Sequence, residues 1–102
     1  MSNVIFKPEI EQISIRQLSG ILKKYGVNIG QKQLFEWMRN NGYLEKQAQT
    51  GWNVPTVKSE QLGLFSLKEK TRLSGGIVVF DVMPLITEYG QEYFVGEFTT
   101  QK

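Results

Sequence analysis

The 102-residue chain contains no cysteine and no histidine. Without cysteine it has no disulfide bond, no thiolate ligand for zinc and no thiol nucleophile. Without histidine it lacks the side chain that enzymes use most often as a general base. The absence of cysteine is also compatible with a reducing compartment such as the cytoplasm.

The chain also lacks a long apolar run. No stretch approaches the roughly 20 apolar residues that a membrane-spanning helix needs, and the N-terminal MSNVIFKPEIEQ has no apolar signal core. With 40% hydrophobic and 12% aromatic residues, the chain has enough apolar side chains for one small core. We therefore predict a leader at residues 1–12, one domain at residues 13–102, and no association with a membrane.

Motifs for catalysis are missing as well. No nucleophile and base stand at a spacing that signals a catalytic pair. Gly75-Gly76 is not followed by the Lys and Ser or Thr of a phosphate-binding loop. Carboxylate pairs such as Glu88 and Glu92 are usually surface residues. We therefore predict that the chain is not an enzyme and needs no metal or cofactor.

Residues 14–44 have the pattern of two short helices joined by a tight turn. Ser14 can cap the first helix, and Gln17 three residues later completes a capping box. Apolar residues then recur at helical spacing over residues 15–25, and Gly26 suits the left-handed conformation that ends many helices. This arrangement is typical of a helix-turn-helix, in which the second helix can lie in a DNA major groove.

The predicted second helix covers residues 31–41 and carries polar side chains in its first turn, where a recognition helix meets base edges. Gln can read adenine, and Lys can reach guanine or phosphate. The alternative is that these are ordinary exposed helix residues. We expect Trp37 and Met38 to belong to the core. The first-turn side chains are those of Gln31, Lys32 and Gln33.

Positive charge is concentrated around these helices. Residues 14–58 contain seven basic and two acidic residues, a net charge of +5, whereas the remainder carries −3. Such an excess is expected of a surface that faces phosphates. A normal solvated lysine surface would give the same count, so charge alone does not decide.

The apolar period changes from helix to strand after Gly42. Residues 43–45 and 53–57 are predicted to pair around a polar loop, forming a hairpin or wing from which Lys46 can reach DNA. Residues 64–73 are predicted to form another strand.

One face of that strand is basic, with Lys68, Lys70 and Arg72, and would be either a second basic ribbon or a solvated face. A turn at residues 74–76 leads to a return strand at residues 77–83, predicted to have a buried face because it is apolar and β-branched.

The last predicted helix begins near Pro84, which suits a first helical turn, and continues to about residue 98. It is acidic and rich in aromatic residues, so it should close the core, and any exposed aromatic surface such as Tyr93 or Phe98 could bind a partner. The predicted fold class is α+β: a winged helix-turn-helix-like domain with β-hairpins and a C-terminal helix.

Three segments in this order and spacing resemble the KilA C-terminal (KilAC) domain of phage antirepressor proteins. They are IGQKQLFEWMRNNGYL, NVPTVKSEQLGLF and YGQEYF. The resemblance covers about residues 13–98. It implies a DNA-binding type of domain that acts in the switch from lysogenic to lytic growth, in the cytoplasm of a bacterial host.

The resemblance leaves two mechanisms open. The domain would bind double-stranded DNA, or it would be a protein-interaction module that binds a phage repressor or builds a homo-oligomer. We favour DNA binding because the basic excess coincides with the two helices. Helix geometry and charge give the DNA-contact candidates Gln31, Lys32, Gln33, Arg39 and Lys46.

Overall fold

The structure is a computed structural model that describes residues 6–99. Residues 1–5 of the predicted leader and residues 100–102 of the predicted domain lie outside the described residues. The described chain is α+β, as predicted, with four helices and antiparallel strands. In chain order the elements are β1 (Gln12–Ile13), α1 (Ile15–Lys24), α2 (Gln31–Asn40), β2 (Leu44–Lys46), β3 (Asn53–Pro55), α3 (Val57–Leu62), β4 (Phe65–Ser74), β5 (Ile77–Thr87) and α4 (Glu88–Thr99).

The first two helices begin at the predicted residues because their start signals are local. The Ser14 side chain accepts a hydrogen bond from the Gln17 amide at 3.1 Å, and the Gln17 side chain accepts one from the Ser14 amide at 2.8 Å. These two bonds complete the predicted capping box. The hydroxyl of buried Ser19 donates to the Ile29 carbonyl at 2.7 Å and so ties the connection between α1 and α2 to α1.

The strands form two antiparallel sheets. The predicted short hairpin is confirmed with altered bounds: β2 pairs with β3, and Lys46 lies opposite Asn53. The second sheet has the order β1-β5-β4, in which β1 covers β5 only at Ile86 and Thr87.

The second hairpin, β4–β5, is much longer than the first. Gly75 and Gly76 form its turn with φ of 59° and 82°. Positive φ at both central residues is what a tight two-residue hairpin turn requires, so glycine is favoured at both. The described chain measures 54 × 24 × 22 Å, and the exposed outer half of this hairpin accounts for its elongated shape.

The predicted start of the last helix at Pro84 is wrong. Strand β5 continues through Pro84 to Thr87, and α4 begins only at Glu88. Apolar residues on either side of the boundary gave a helical period, but Leu85 and Ile86 pair with β4. A proline is tolerated in a strand whose neighbour is missing on one side, and β1 does not extend to Pro84.

The predicted buried face of residues 77–83 is also wrong. None of these residues is buried, and Ile77, Val78 and Phe80 are 68%, 57% and 60% exposed. Their apolar character correctly indicated a strand. It did not indicate a covered one, because no other described element packs on the outer part of the hairpin.

The core lies where the helices meet the inner ends of the hairpins. Phe94 of α4 is fully buried, and its ring contacts those of Trp37, Tyr43 and Phe65 at centroid distances of 6.2, 5.2 and 5.6 Å. The predicted core residue Met38 is fully buried, and Trp37 packs against the cluster. The core fixes α2 with its polar face outward. The buried apolar residues are Ile13, Ile15, Leu18, Leu22, Leu34, Met38, Tyr43, Leu44, Leu64, Phe65, Ile86, Phe94 and Val95.

Candidate nucleic-acid interface

The first turn of α2 exposes all three of its polar side chains. The side-chain oxygen of Gln33 accepts a hydrogen bond from the Gly30 amide at 3.0 Å and thereby caps the helix. That bond uses one of the two lone pairs of the oxygen and holds the Gln33 amide turned toward Gly30. Gln31 and Lys32 make no side-chain hydrogen bond or ion pair with another described residue, so both are available to a ligand.

The end of α2 is joined to the short hairpin by Arg39. Its Nη1 donates to the side-chain oxygen of Asn53 at 2.8 Å, and Asn53 lies opposite Lys46 in the β2–β3 pair. Arg39 is half-buried, whereas Lys46 is exposed. Because Asn53 is neutral, this contact orients Arg39 without cancelling its charge. Arg39 and Lys46 are therefore neighbours.

The predicted contact residues fall into two groups along α2. Lys32 and Arg39 are seven residues apart, which places them on one stripe of the helix and about 10 Å apart along its axis. Gln33 lies about 100° around the helix from Lys32 and borders a different groove, with Val27 and Trp37. The structure thus brings together Lys32, Arg39 and Lys46, which we call the cationic row. Gln33 is not part of it.

One acidic residue interrupts the cationic row. Glu36 is exposed and lies four residues after Lys32 and three residues before Arg39, so it neighbours both on the helix surface. Among the described residues the ion pair is that of Arg72 and Asp81, and Glu36 pairs with neither cation. Glu36 was not among the predicted contact residues, although helical spacing alone places it on this surface.

Lys58 of α3 adds a further positive charge at the C-terminal end of α2. Its Nζ donates to the Asn41 carbonyl at 3.3 Å and lies 4.2 Å from the centre of the Tyr43 ring. A cation at a helix C-terminus interacts favourably with the free carbonyls there. Lys58 therefore has a structural role, and only the fold reveals that it lies near this end of α2.

The long hairpin carries the other basic residues. The β4–β5 register confirms that Lys68, Lys70 and Arg72 share one face. Arg72 Nε pairs with Asp81 Oδ2 at 2.8 Å, whereas Lys68 and Lys70 of this face form no ion pair with a described residue, although Lys70 lies opposite Asp81 in the register. Both the basic-ribbon and the solvated-face interpretations remain predictions.

The aromatic side chains of α4 are engaged inside the molecule. The Tyr93 and Tyr43 hydroxyls are hydrogen-bonded at 2.7 Å, and the Tyr43 hydroxyl also donates to Glu97 at 3.4 Å. The Phe98 ring lies 4.5 Å from that of Trp37. Tyr93 and Phe98 therefore hold α4 against the core, and Tyr89, 54% exposed, is the aromatic side chain of α4 that faces solvent.

The sequence of this chain matches a known protein family. The family model described as the phage antirepressor protein KilAC domain matches residues 9–101. The chain belongs to the KilAC domain family. A search of curated proteins and a search of solved structures each gave no match.

The KilAC domain described here matches the predicted family over nearly its whole length, which supports a role related to phage antirepressors. No helix among residues 6–99 is both long and apolar enough to cross a membrane. The same residues contain no group of three or more acidic, cysteine or histidine side chains placed to hold a metal ion.

Proposed function

We propose that this KilAC domain binds double-stranded DNA in the switch between lysogenic and lytic growth, in the cytoplasm of the bacterial host. In this proposal α1 and α2 act as the helix-turn-helix, and the β2–β3 hairpin acts as the wing. The single observation that carries the proposal is the cationic row, whose three charges are not neutralised by any described carboxylate.

The dimensions of the cationic row suit a DNA backbone. Lys32 and Arg39 are about 10 Å apart along the axis of α2. Arg39 is hydrogen-bonded to Asn53, which lies opposite Lys46 in the β2–β3 pair. The roughly 10 Å between Lys32 and Arg39 corresponds to about three nucleotides at the 3.4 Å rise of one DNA strand. Lys32, Arg39 and Lys46 would each contact a phosphate, and the hydrogen bond to Asn53 would hold Arg39 in place.

Base reading would come from the first turn of α2. Gln31 has an amide with both its donor and its acceptor free, which is what bidentate pairing with adenine requires. The Gln33 oxygen already accepts a bond from Gly30, which holds its amide in the capping position and away from a free pairing geometry. We therefore assign sequence preference chiefly to Gln31 and assign Gln33 to helix capping.

Binding of a labelled duplex of mixed sequence tests the proposal. Lys32→Ala and Lys46→Ala should each weaken binding across sequences and reduce the salt slope by about 1. The matched control is Lys24→Ala, which removes the same charge from α1 beside Phe6 and Ile10. Equal weakening by all three substitutions would mean that only net charge matters and would refute the cationic row as the contact surface.

The second candidate function is binding of a phage repressor protein. The observation that favours an interaction role is the exposed apolar surface of the long hairpin. Tyr93→Ala and Phe98→Ala would be poor probes of it because both side chains support the fold. A folded domain that captures a repressor but ignores duplex DNA would favour this candidate.

A further inference from the structure

The outer part of the long hairpin has two chemically different faces. Residues directly opposite each other in an antiparallel pair point to the same side. The register therefore places four rows on one face: Leu67 with Pro84, Glu69 with Val82, Thr71 with Phe80, and Leu73 with Val78. We call this side of residues 67–84 the apolar face; the opposite side carries the lysines.

The apolar face continues the surface that the core covers. Phe65 and Ile86 form the next row inward on the same side, and both are buried. Beyond them, Leu67, Leu73 and Val78 are 52%, 75% and 57% exposed, and Phe80 is 60% exposed. The apolar residues on this side of the hairpin thus continue beyond the last described element that packs against them.

An uncovered two-stranded ribbon of this length is not stable by itself. Isolated hairpins are marginal in water and need a third strand or a packed apolar face. Here β4 is the edge of its sheet, and β1 pairs with β5 only at Ile86 and Thr87. Pro84 in the innermost of the four rows is buried and Val82 is half-buried, whereas the rows of Phe80 and Val78 have neither kind of support within residues 6–99.

We propose that two copies of this chain associate by packing their apolar faces together around a two-fold axis. A two-fold interface requires a patch that complements itself. If the axis lies between the second and third rows, the Leu67 row of one copy faces the partner's Leu73–Val78 row. Glu69 then faces the partner's Thr71 hydroxyl rather than a second carboxylate.

The area agrees with a weak dimer. A free Phe presents on the order of 150–250 Å² and a Leu or Val somewhat less, so the four exposed residues leave roughly 400 Å² per copy. Two copies with the flanking Val82 and Thr71 would bury about 1,000 Å², the lower limit for specific interfaces. We therefore expect association in the micromolar range.

The chemistry of the apolar face also favours a second copy. It carries Glu69 as its one charge, so it offers little to a strongly charged partner. Packing of the two apolar faces leaves Lys68 and Lys70 on the outside of both copies. The dimer does not depend on DNA binding, and its failure would leave the proposed function untouched.

Sedimentation equilibrium of the whole chain over a range of concentrations tests the dimer. The average mass should rise from that of one chain to that of two. Phe80→Glu and Leu73→Glu should keep the chain monomeric at all concentrations, because a carboxylate would be buried in the interface. Both positions are well exposed, so each variant should retain the wild-type circular dichroism spectrum.

The matched control is Ile77→Glu. Ile77 is 68% exposed and lies at the same end of the hairpin, but it shares the opposite face with Ser74. The Ile77→Glu variant should dimerise like the wild type. A wild-type chain that stays monomeric would overturn the proposal and assign the apolar face to another protein. Dimers that persist in folded Phe80→Glu, or that are lost equally in Ile77→Glu, would overturn it as well.

Discussion

At the scale of single residues, Gly90 in the first turn of α4 has the least room for a side chain among the glycines of residues 6–99. A Cβ there would overlap the Leu64 carbonyl oxygen and lie 2.8 Å from Ile86 Cγ2. That carbonyl cannot move freely, because it accepts hydrogen bonds from the amide and the hydroxyl of Thr87 at 3.1 and 3.2 Å. Gly90 is therefore required by its neighbours rather than by its own backbone angles.

We expect Gly90→Ala to lower the free energy of unfolding by about 2–4 kcal/mol, because the overlap forces α4 away from β5. Urea denaturation measures the change. Gly20→Ala is the matched control: Gly20 also lies in a helix, but a Cβ there meets nothing within 4 Å. That substitution should stabilise the protein by up to about 1 kcal/mol. A neutral Gly90→Ala would contradict the packing of α4 against Leu64.

Tyr43 gives the protein a pH dependence at the alkaline end. Burial raises the pKa of the Tyr43 hydroxyl well above its usual value, and the Tyr93 and Glu97 side chains raise that pKa further. The free-chain pKa is about 10, so above that pH the unfolded state loses its proton first. The contribution to stability is complete below about pH 10 and is lost as the pH rises toward the folded-state pKa.

This loss of stability is tested by measuring the free energy of unfolding of the wild type and of Tyr43→Phe between about pH 8 and about pH 11. One proton corresponds to a slope of about 1.4 kcal/mol per pH unit. Tyr43→Phe should be about 1 kcal/mol less stable at neutral pH because it loses the hydrogen bond to Tyr93, yet its stability should fall less steeply above pH 10. Parallel curves would contradict the assignment to Tyr43.

At the scale of elements, local signals and the two hairpins were predictable from the sequence, whereas the ends of strands that depend on distant partners were not. The capping box at Ser14 and Gln17 involves neighbours in the chain, so α1 begins where it was predicted to begin. The end of β5 depends on β1 and β4, which are distant in sequence, and the apolar Leu85 and Ile86 fit a helix equally well. The start of α4 was therefore misplaced by four residues, from Pro84 to Glu88.

The same limit applies to the candidate site. Lys32 and Arg39 share a stripe of α2 by helical period alone, and this much followed from the sequence. The contact of Arg39 with Asn53, and through it the position of Lys46, depends on strand register. The exposure of Phe80 was unpredictable for a related reason, since an apolar strand looks the same whether its own core or another chain covers it.

Removal of the negative charge between Lys32 and Arg39 on α2 should strengthen binding of duplex DNA. Glu36 lies between Lys32 and Arg39, so Glu36→Gln should raise the affinity for duplex DNA several-fold at low salt by removing a repulsive charge. Fluorescence anisotropy with a labelled duplex measures it. Glu92→Gln changes the net charge equally at an exposed position of α4 and should have a smaller effect. An equal gain in both variants would indicate that no particular face meets DNA.

At the scale of the whole molecule, the charge and the apolar surface are separated. Residues 14–58, which include α1, α2 and the short hairpin, carry a net charge of +5, whereas the rest of the chain carries −3. The acidic α4 closes the core, and the long hairpin projects from it with its apolar face uncovered. One end of the molecule thus suits a polyanion, and the other suits a second copy of the chain.

The central claim, that the KilAC domain binds duplex DNA through the cationic row, is tested most directly by a salt titration. The affinity of the folded chain for a duplex of mixed sequence would be measured between about 50 and about 200 mM salt. Three phosphate contacts predict that the logarithm of the binding constant falls linearly with the logarithm of the salt concentration, with a slope of about −3. A folded chain that does not bind the duplex at about 50 mM salt, or binds with an affinity that salt does not change, would contradict the claim.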